Sequence, residues 1–191
     1  MSLVRLRPLA ESDVDHIMTW VNDPEITGNI AAFSGRAFTR DDEVAYVRQI
    51  LASPSDRVFS IEEAATGRYL GQTGLHQIHA RSKVARLACI IATRGDMGRG
   101  YGTGAIRLVL DHAFGPLGLH KLWLMVFSHN ERGRRIYGRL GFVEEGVLRE
   151  EYFHQDRWFD MVRMSMLARE WAARRGDACG PSGAEGGSPA A

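Results

Sequence analysis

Apolar and polar residues alternate over Val4–Leu6, with Arg5 and Arg7 between them, and the run stops at Pro8; this predicts a short opening strand. Val14, Ile17, Met18 and Val21 then recur at helical spacing, predicting a helix over 11–22 that ends before Asn22-Asp23-Pro24. The pattern is lost over 26–38, where an irregular connection is expected. Thr39, followed by Asp42 and Glu43, starts a second helix with Val44, Val47, Ile50 and Leu51 as its buried stripe, and Ser53-Pro54-Ser55-Asp56 ends it. Three strands come next. Residues 57–63 alternate, Thr66-Gly67 supplies a tight turn, and 69–78 return. The third, 84–93, is apolar nearly throughout and should lie centrally, covered on both faces. Ile106, Val109, Leu110 and Ala113 give a clean apolar helical face over 103–114, and 121–127 form another strand. Asn130 caps a helix to about 139, Gly141 stops it, and 142–154 and 157–168 are strands about a turn near Gln155-Asp156.

The resulting order is β, α, α, β, β, β, loop, α, β, α, β, β. Meander strands come first, and only the later β-loop-α-β unit suggests a parallel pair, so the expectation is a mixed α/β or α+β layer domain. One domain over 1–171 is expected, followed by a disordered tail over 172–191, where Gly, Ala, Ser and Pro dominate. With 45% hydrophobic and 25% charged residues the chain reads as globular, and a formal charge of +1 argues against a dedicated nucleic-acid binder. Cys89 and Cys179 build neither a disulfide framework nor a metal-binding spacing. No segment has the length of a membrane span or a signal peptide, so a cytosolic location is the default expectation. The seven histidines are scattered, and no metal site is expected.

The chemical signal is the stretch Ile90-Ile91-Ala92-Thr93-Arg94-Gly95-Asp96-Met97-Gly98-Arg99-Gly100-Tyr101-Gly102-Thr103. A buried strand ends, glycines follow at every second position, and a helix begins. Glycines let a backbone approach a ligand closely, and the unpaired amides of a helix start favour an anion. Three phosphate-binding readings compete. A P-loop fails because Tyr101 occupies the lysine position. A dinucleotide fingerprint fits Gly100-x-Gly102-x-x-Ala105, with Glu131 as the ribose acid, but the chain shows a single β-α-β unit.

The third reading is coenzyme A. Met97-Gly98-Arg99-Gly100-Tyr101-Gly102 resembles the Gln/Arg-Gly-x-Gly-x-Gly/Ala pattern of the GCN5-related N-acetyltransferase (GNAT) family, departing only at Met97. Asn130-Glu-Arg-Gly-Arg-Arg-Ile-Tyr137 with Gly141-Phe142, the run Glu144 to Tyr152 and the closing Arg157-Trp-Phe-Asp160 resemble its ribosomal-protein and spermidine N-acetyltransferase branch. So do Leu6-Arg7-Pro8-Leu9 and Trp20-Val-Asn-Asp23-Pro24, so the resemblance covers about residues 3–170. It implies a GNAT fold: a mixed sheet of about six to seven strands with a splayed parallel pair, flanked by about four helices. It also implies transfer of an acetyl group from acetyl-CoA to a primary amine of a small molecule, a polyamine or a protein N-terminus.

By the same resemblance, backbone groups of Ile91 and Thr93 pair with the pantetheine arm, and the amides of Gly98, Arg99, Gly100, Tyr101, Gly102 and Thr103 hold the pyrophosphate. Arg99, Arg132 and Arg135 are candidates for the outer phosphates. Asn130 is a cofactor contact as well as a cap. Tyr137 donates a proton to the departing thiolate, as a phenol that stays protonated at neutral pH can. The family's usual glutamate early in the fourth strand is replaced by Arg86. That leaves His76, His79, Glu150, Glu151, Asp160 or a water chain to take the amine's proton. Cys89 reads as a small core residue and direct attack as the simpler route. A non-catalytic acyl-CoA sensor is the other-class alternative, and the closing hairpin is a possible homodimer surface.

Overall fold

In the computed structural model, which describes residues 2–28, 37–154 and 156–176, the alternating segments become one seven-stranded sheet. The strands are β1 (Val4–Pro8), β2 (Arg57–Glu63), β3 (Tyr69–His79), β4 (Val84–Ile91), β5 (Lys121–Phe127), β6 (Val143–His154) and β7 (Arg157–Leu167). The helices are α1 (Val14–Met18), α2 (Pro24–Thr27), α3 (Arg40–Ala52), α4 (Tyr101–Phe114), α5 (Glu131–Leu140) and α6 (Ala168–Arg175). The strand order is β1-β2-β3-β4-β5-β7-β6, and β4–β5 is the parallel pair in an otherwise antiparallel sheet.

That parallel pair is short. Val84, Ala85 and Arg86 stand opposite Lys121, Leu122 and Trp123, and the register ends there. β4 stays with β3 as far as Ile91, while β5 stays with β7 as far as Phe127. Each strand follows its outer neighbour, so the inner edges part and leave backbone donors and acceptors along a splay.

Alternation divides the side chains between two faces. Ala85, Leu87, Leu122, Leu124, Val126, Val162, Met164 and Met166 pack against Ile106, Val109, Leu110 and Ala113 of α4. On the other side, Val58 and Ala92 join Val14 and Ile17 of α1, Trp20 in the turn after it, and Val47 of α3. The expected cover of the fourth strand on both faces holds on the α4 side alone, where Ala85 and Leu87 are buried; Arg86, Ala88 and Ile90, on the opposite face, are only partly buried. α3 begins with a reciprocal cap: Asp42 N–H donates to Thr39 Oγ1 at 3.2 Å, and Thr39 N–H donates to Asp42 Oδ2 at 2.8 Å.

Three boundaries differ from the sequence reading. The helix expected over 11–22 is a 3-10 turn, Glu11–Asp13, followed by the short α1, because the buried Asp13 carboxylate is drawn to Arg7, Ser60 and the Ala10 amide. Two helices are added to the expected four. α2 starts at Pro24 with Asp23 capping the Glu25 amide, and α6 starts where the Leu167 amide meets Glu170. α6 runs past the expected domain limit at 171, since Trp171 Nε1 and Arg175 both donate to Asp111 of α4. Residues 177–191 of the expected tail, and 29–36 of the expected irregular connection, lie outside the described residues.

Candidate active site

β4 stops at Ile91, a 3-10 turn spans Arg94–Asp96, and α4 starts at Tyr101. Gly98 and Gly100, at φ +87° and +90°, occupy the left-handed region that L side chains rarely adopt. A Cβ on Gly102 would lie 3.5 Å from Ile91 Cγ1, so the start of α4 rests directly against β4. The first intrahelical bond runs from Gly104 N–H to Gly100 O at 2.9 Å. Among the described residues nothing accepts from the backbone amides of Gly98 through Thr103. Six successive donors at the positive end of a 14-residue helix form an anion cradle.

The loop is clamped from behind through Asp96, Arg68 and Glu63, which the sequence reading did not single out. Asp96 accepts two hydrogen bonds from Arg68, at 2.7 and 2.9 Å, and one from Thr93 Oγ1 at 2.6 Å. The Arg68 guanidinium holds the Asp96 carboxyl down at about 2. Tyr101 buries its ring among Val4, Ile61, Leu70 and Ala105 and donates its hydroxyl to Glu63 at 2.6 Å. Tyr101 therefore offers a ligand its amide and not its side chain. Arg68 and Asp96 are 28 residues apart, and no local pattern joins them.

The backbone expectation for Ile91 and Thr93 agrees with the strand geometry. Ala92 N–H donates to Leu70 O on β3, so the alternating N–H groups of Ile91 and Thr93 point the other way, toward the splay. Asn130 Oδ1 accepts from Gly133 N–H at 2.9 Å and caps α5, which brings Arg132 over the loop. Arg132 Nη2 lies 3.3 Å from where a Gly98 Cβ would be. Arg99 is exposed on the loop itself and close enough to Asp96 to lower its affinity for a proton. Arg135 is placed differently: it forms a solvent-exposed pair with Glu131 at 2.9 Å, one turn away on the same helix.

Tyr137 projects from α5 into the core beside Cys89, its ring edge-on to Phe142 at 5.7 Å. Burial pushes its phenol upward, so it is neutral across the physiological range, and among the described residues its hydroxyl has no hydrogen-bond partner. A protonated, unengaged hydroxyl is what a proton donor to a thiolate requires. Burial also pushes the Cys89 thiol up to about 12, which removes it as a nucleophile at neutral pH.

On the opposite face, Arg86 sits between His76 on β3 and Trp123 on β5 at the closed end of the splay. His76 Nδ1 is 2.8 Å from Asp56 Oδ1, and burial together with Arg86 lowers its affinity for a proton. The other expected proton acceptors accept from backbone amides or, like Glu150 and Glu151, have exposed carboxylates. His79 Nδ1 accepts from Ser82 N–H, Asp160 accepts from Glu150 N–H in the bulge of the closing hairpin, and Glu151 is exposed. No group of three or more metal-ligating side chains occurs among the described residues. No helix among them is long and apolar enough to cross a membrane.

The single parallel pair removes the dinucleotide reading, which needs a doubly wound parallel sheet. Residues 4–143 match the acetyltransferase (GNAT) domain family. The chain is 29% identical to spermidine N(1)-acetyltransferase of Escherichia coli K12 over 170 residues, 89% of each protein. A Bacillus subtilis protein named for ribosomal N-acetylation is 30% identical over 109 residues, 57% of this chain and 59% of that one. Among solved structures, spermidine N-acetyltransferase from Vibrio cholerae in complex with CoA and spermine superposes with a TM-score of 0.81 at 28% identity. That match covers 88% of this chain and 98% of that one. A helix-start anion cradle beside a splayed parallel pair, in a chain matched over most of its length by these enzymes, has one reading: the chain belongs to the GNAT family and is an acetyl-CoA-dependent N-acetyltransferase of amines.

Proposed function

We propose that acetyl-CoA lies along the splay between β4 and β5 with its pyrophosphate on the amides of Gly98 to Thr103, and that a primary amine of a small molecule or a peptide N-terminus attacks it directly. When bound, acetyl-CoA supplies the activated acetyl thioester and the thiolate leaving group. The observation that carries the reading is the run of six amides without partners, fixed in place by the Asp96 clamp. Arg99 and Arg132 add positive charge at the cradle, and Arg132 is better placed than Arg135. The N–H groups of Ile91 and Thr93 hold the pantetheine amides in place of a missing strand neighbour, and the Asn130 amide group closes the other side.

Tyr137 donates its proton to the departing sulfur. His76, oriented by Asp56, takes the proton the amine must lose, and the positive charge of Arg86 favours the neutral amine at that point. Protonation of Cys89 supports direct attack over an acetyl-enzyme. A cytosolic location fits a chain that uses acetyl-CoA and carries a free thiol. The edge strand β6, with Val143 and Val147 exposed and Phe153 and Trp158 at the hairpin tip, supports a homodimer, which sedimentation would confirm or exclude.

The test is Tyr137→Phe. Its kcat should fall by about 10²-fold, the range of general acid catalysis, with the Kd for acetyl-CoA unchanged. An unchanged kcat would remove the proton-donor role. An acetylated protein trapped by intact-mass measurement without acceptor would replace direct attack with a covalent route.

A further inference from the structure

We propose that Arg86 is the specificity residue of the acceptor site and anchors a carboxylate or phosphate carried by the amine, so that this enzyme favours anionic amines over polyamines. The proposal rests on the transferase reading above and adds to it the chemical class of the acceptor.

Ala85 and Leu87 point into the α4-side core, so Arg86 between them points to the opposite face. It occupies the last register position shared by β4 and β5, with Trp123 beside it, and the strands part immediately beyond. Arg86 therefore stands at the closed end of the splay, on the face away from the helix that forms the phosphate cradle.

The second observation is the lack of a counter-charge. Among the described residues Arg86 forms no ion pair, and its buried Nε has no hydrogen-bond partner. The nearby acids are committed elsewhere or shielded. Asp56 is held by His76 at 2.8 Å and by the hydroxyls of Ser53 and Ser55. Glu145 pairs with Lys121 and, at 3.4 Å, with Arg163. Glu43, buried on α3, is pushed toward its neutral form by burial and by Asp42. Tyr46, which feels the charge of Arg86, keeps its proton up to about 12. A second guanidinium, Arg163, lies 4.3 Å from the ring centroid of Trp123, the next residue along the same row.

This arrangement has a chemical consequence. A partly buried guanidinium with a free donor is satisfied by a planar or tetrahedral oxyanion, which it binds through two parallel hydrogen bonds. A polycation brought to the same place meets a like charge in a poorly solvated setting, which is unfavourable.

The test compares matched acceptors by coenzyme A release: ω-amino carboxylates and ω-aminoalkyl phosphates against diamines of equal chain length and spermidine, with acidic and basic dipeptides alongside. Wild type should favour the anionic member of each pair in kcat/KM by at least about tenfold, the factor that 1.4 kcal/mol of differential binding carries. Arg86→Gln should level the pairs, and Arg86→Glu should invert them, with the Kd for acetyl-CoA unchanged in both. A carboxylate preference without a phosphate preference, or the reverse, identifies the oxyanion and upholds the proposal. Preference of wild type for diamines or spermidine, or an unchanged ratio in Arg86→Glu, would overturn the assignment of Arg86 and leave the transferase reading intact. Acetyl-CoA binding without transfer to any of these amines would overturn both.

Discussion

Asp96→Asn isolates the clamp behind the glycine loop. The carboxyl is 8% exposed and held at about 2 by Arg68, against an ordinary 3.8. That drop corresponds to about 2.4 kcal/mol at 1.36 kcal/mol for each pH unit. The Arg68 side chain is 47% exposed, so solvent screening reduces the effect to about 1–1.5 kcal/mol. At this chain length that amounts to roughly 2–6 °C in Tm. Because the folded pKa is depressed, the stabilisation is fully present above the unfolded pKa and lost as pH falls through about 2. At pH 3, between the two values, about half of it should remain. Thermal unfolding of wild type and variant at pH 7 and pH 3 measures this directly, and the gap in Tm should close to about half. A loosened loop should also raise KM for acetyl-CoA more than it lowers kcat. A Tm gap that stays constant between the two pH values, or a KM that does not move, would refute the clamp as an electrostatic device serving the loop.

Arg132→Ala should weaken acetyl-CoA binding by about tenfold, the worth of one charge-assisted hydrogen bond, whereas Arg135→Ala should change it less than twofold; calorimetry of both variants decides. With His76 kept neutral to below 6.5 by burial and Arg86, wild-type kcat should stay level through neutral pH and decline only in the acid range. His76→Gln should lower kcat by about 10²-fold and abolish that acid limb, and a retained limb would assign the proton to solvent instead.

The glycine loop was legible because each of its parts is local. A buried strand, glycines at 98, 100 and 102, and the apolar stripe of α4 are adjacent in sequence, and glycine is the residue that positive φ requires. Asn130 and Gly141 were legible for the same reason, as a cap with its own side-chain bond and a left-handed stop at φ +107°. What sequence could not supply is long-range. The end of the β4–β5 register at Arg86 and Trp123 depends on how β3 and β7 pull the two strands apart. The Arg68–Asp96 pair and the approach of Arg132 to Gly98 join segments with no common pattern. Arg135 shows the converse, since its spacing suits either a phosphate or the i,i+4 pair with Glu131, and only the fold separates them. α6 was missed because its residues, Ala168 to Arg175, show little amphipathic contrast and are held by Trp171 and Arg175 on a distant aspartate.

The most direct test of the account is a calorimetric titration comparing coenzyme A with pantetheine, which lacks the pyrophosphate and the phosphoadenosine beyond it, alongside 4′-phosphopantetheine, which restores the first phosphate alone. If the amides of Gly98 to Thr103 hold that group, coenzyme A should bind at least about a hundredfold more tightly, the equivalent of two charge-assisted hydrogen bonds. Equal affinity for coenzyme A and pantetheine would contradict the central claim.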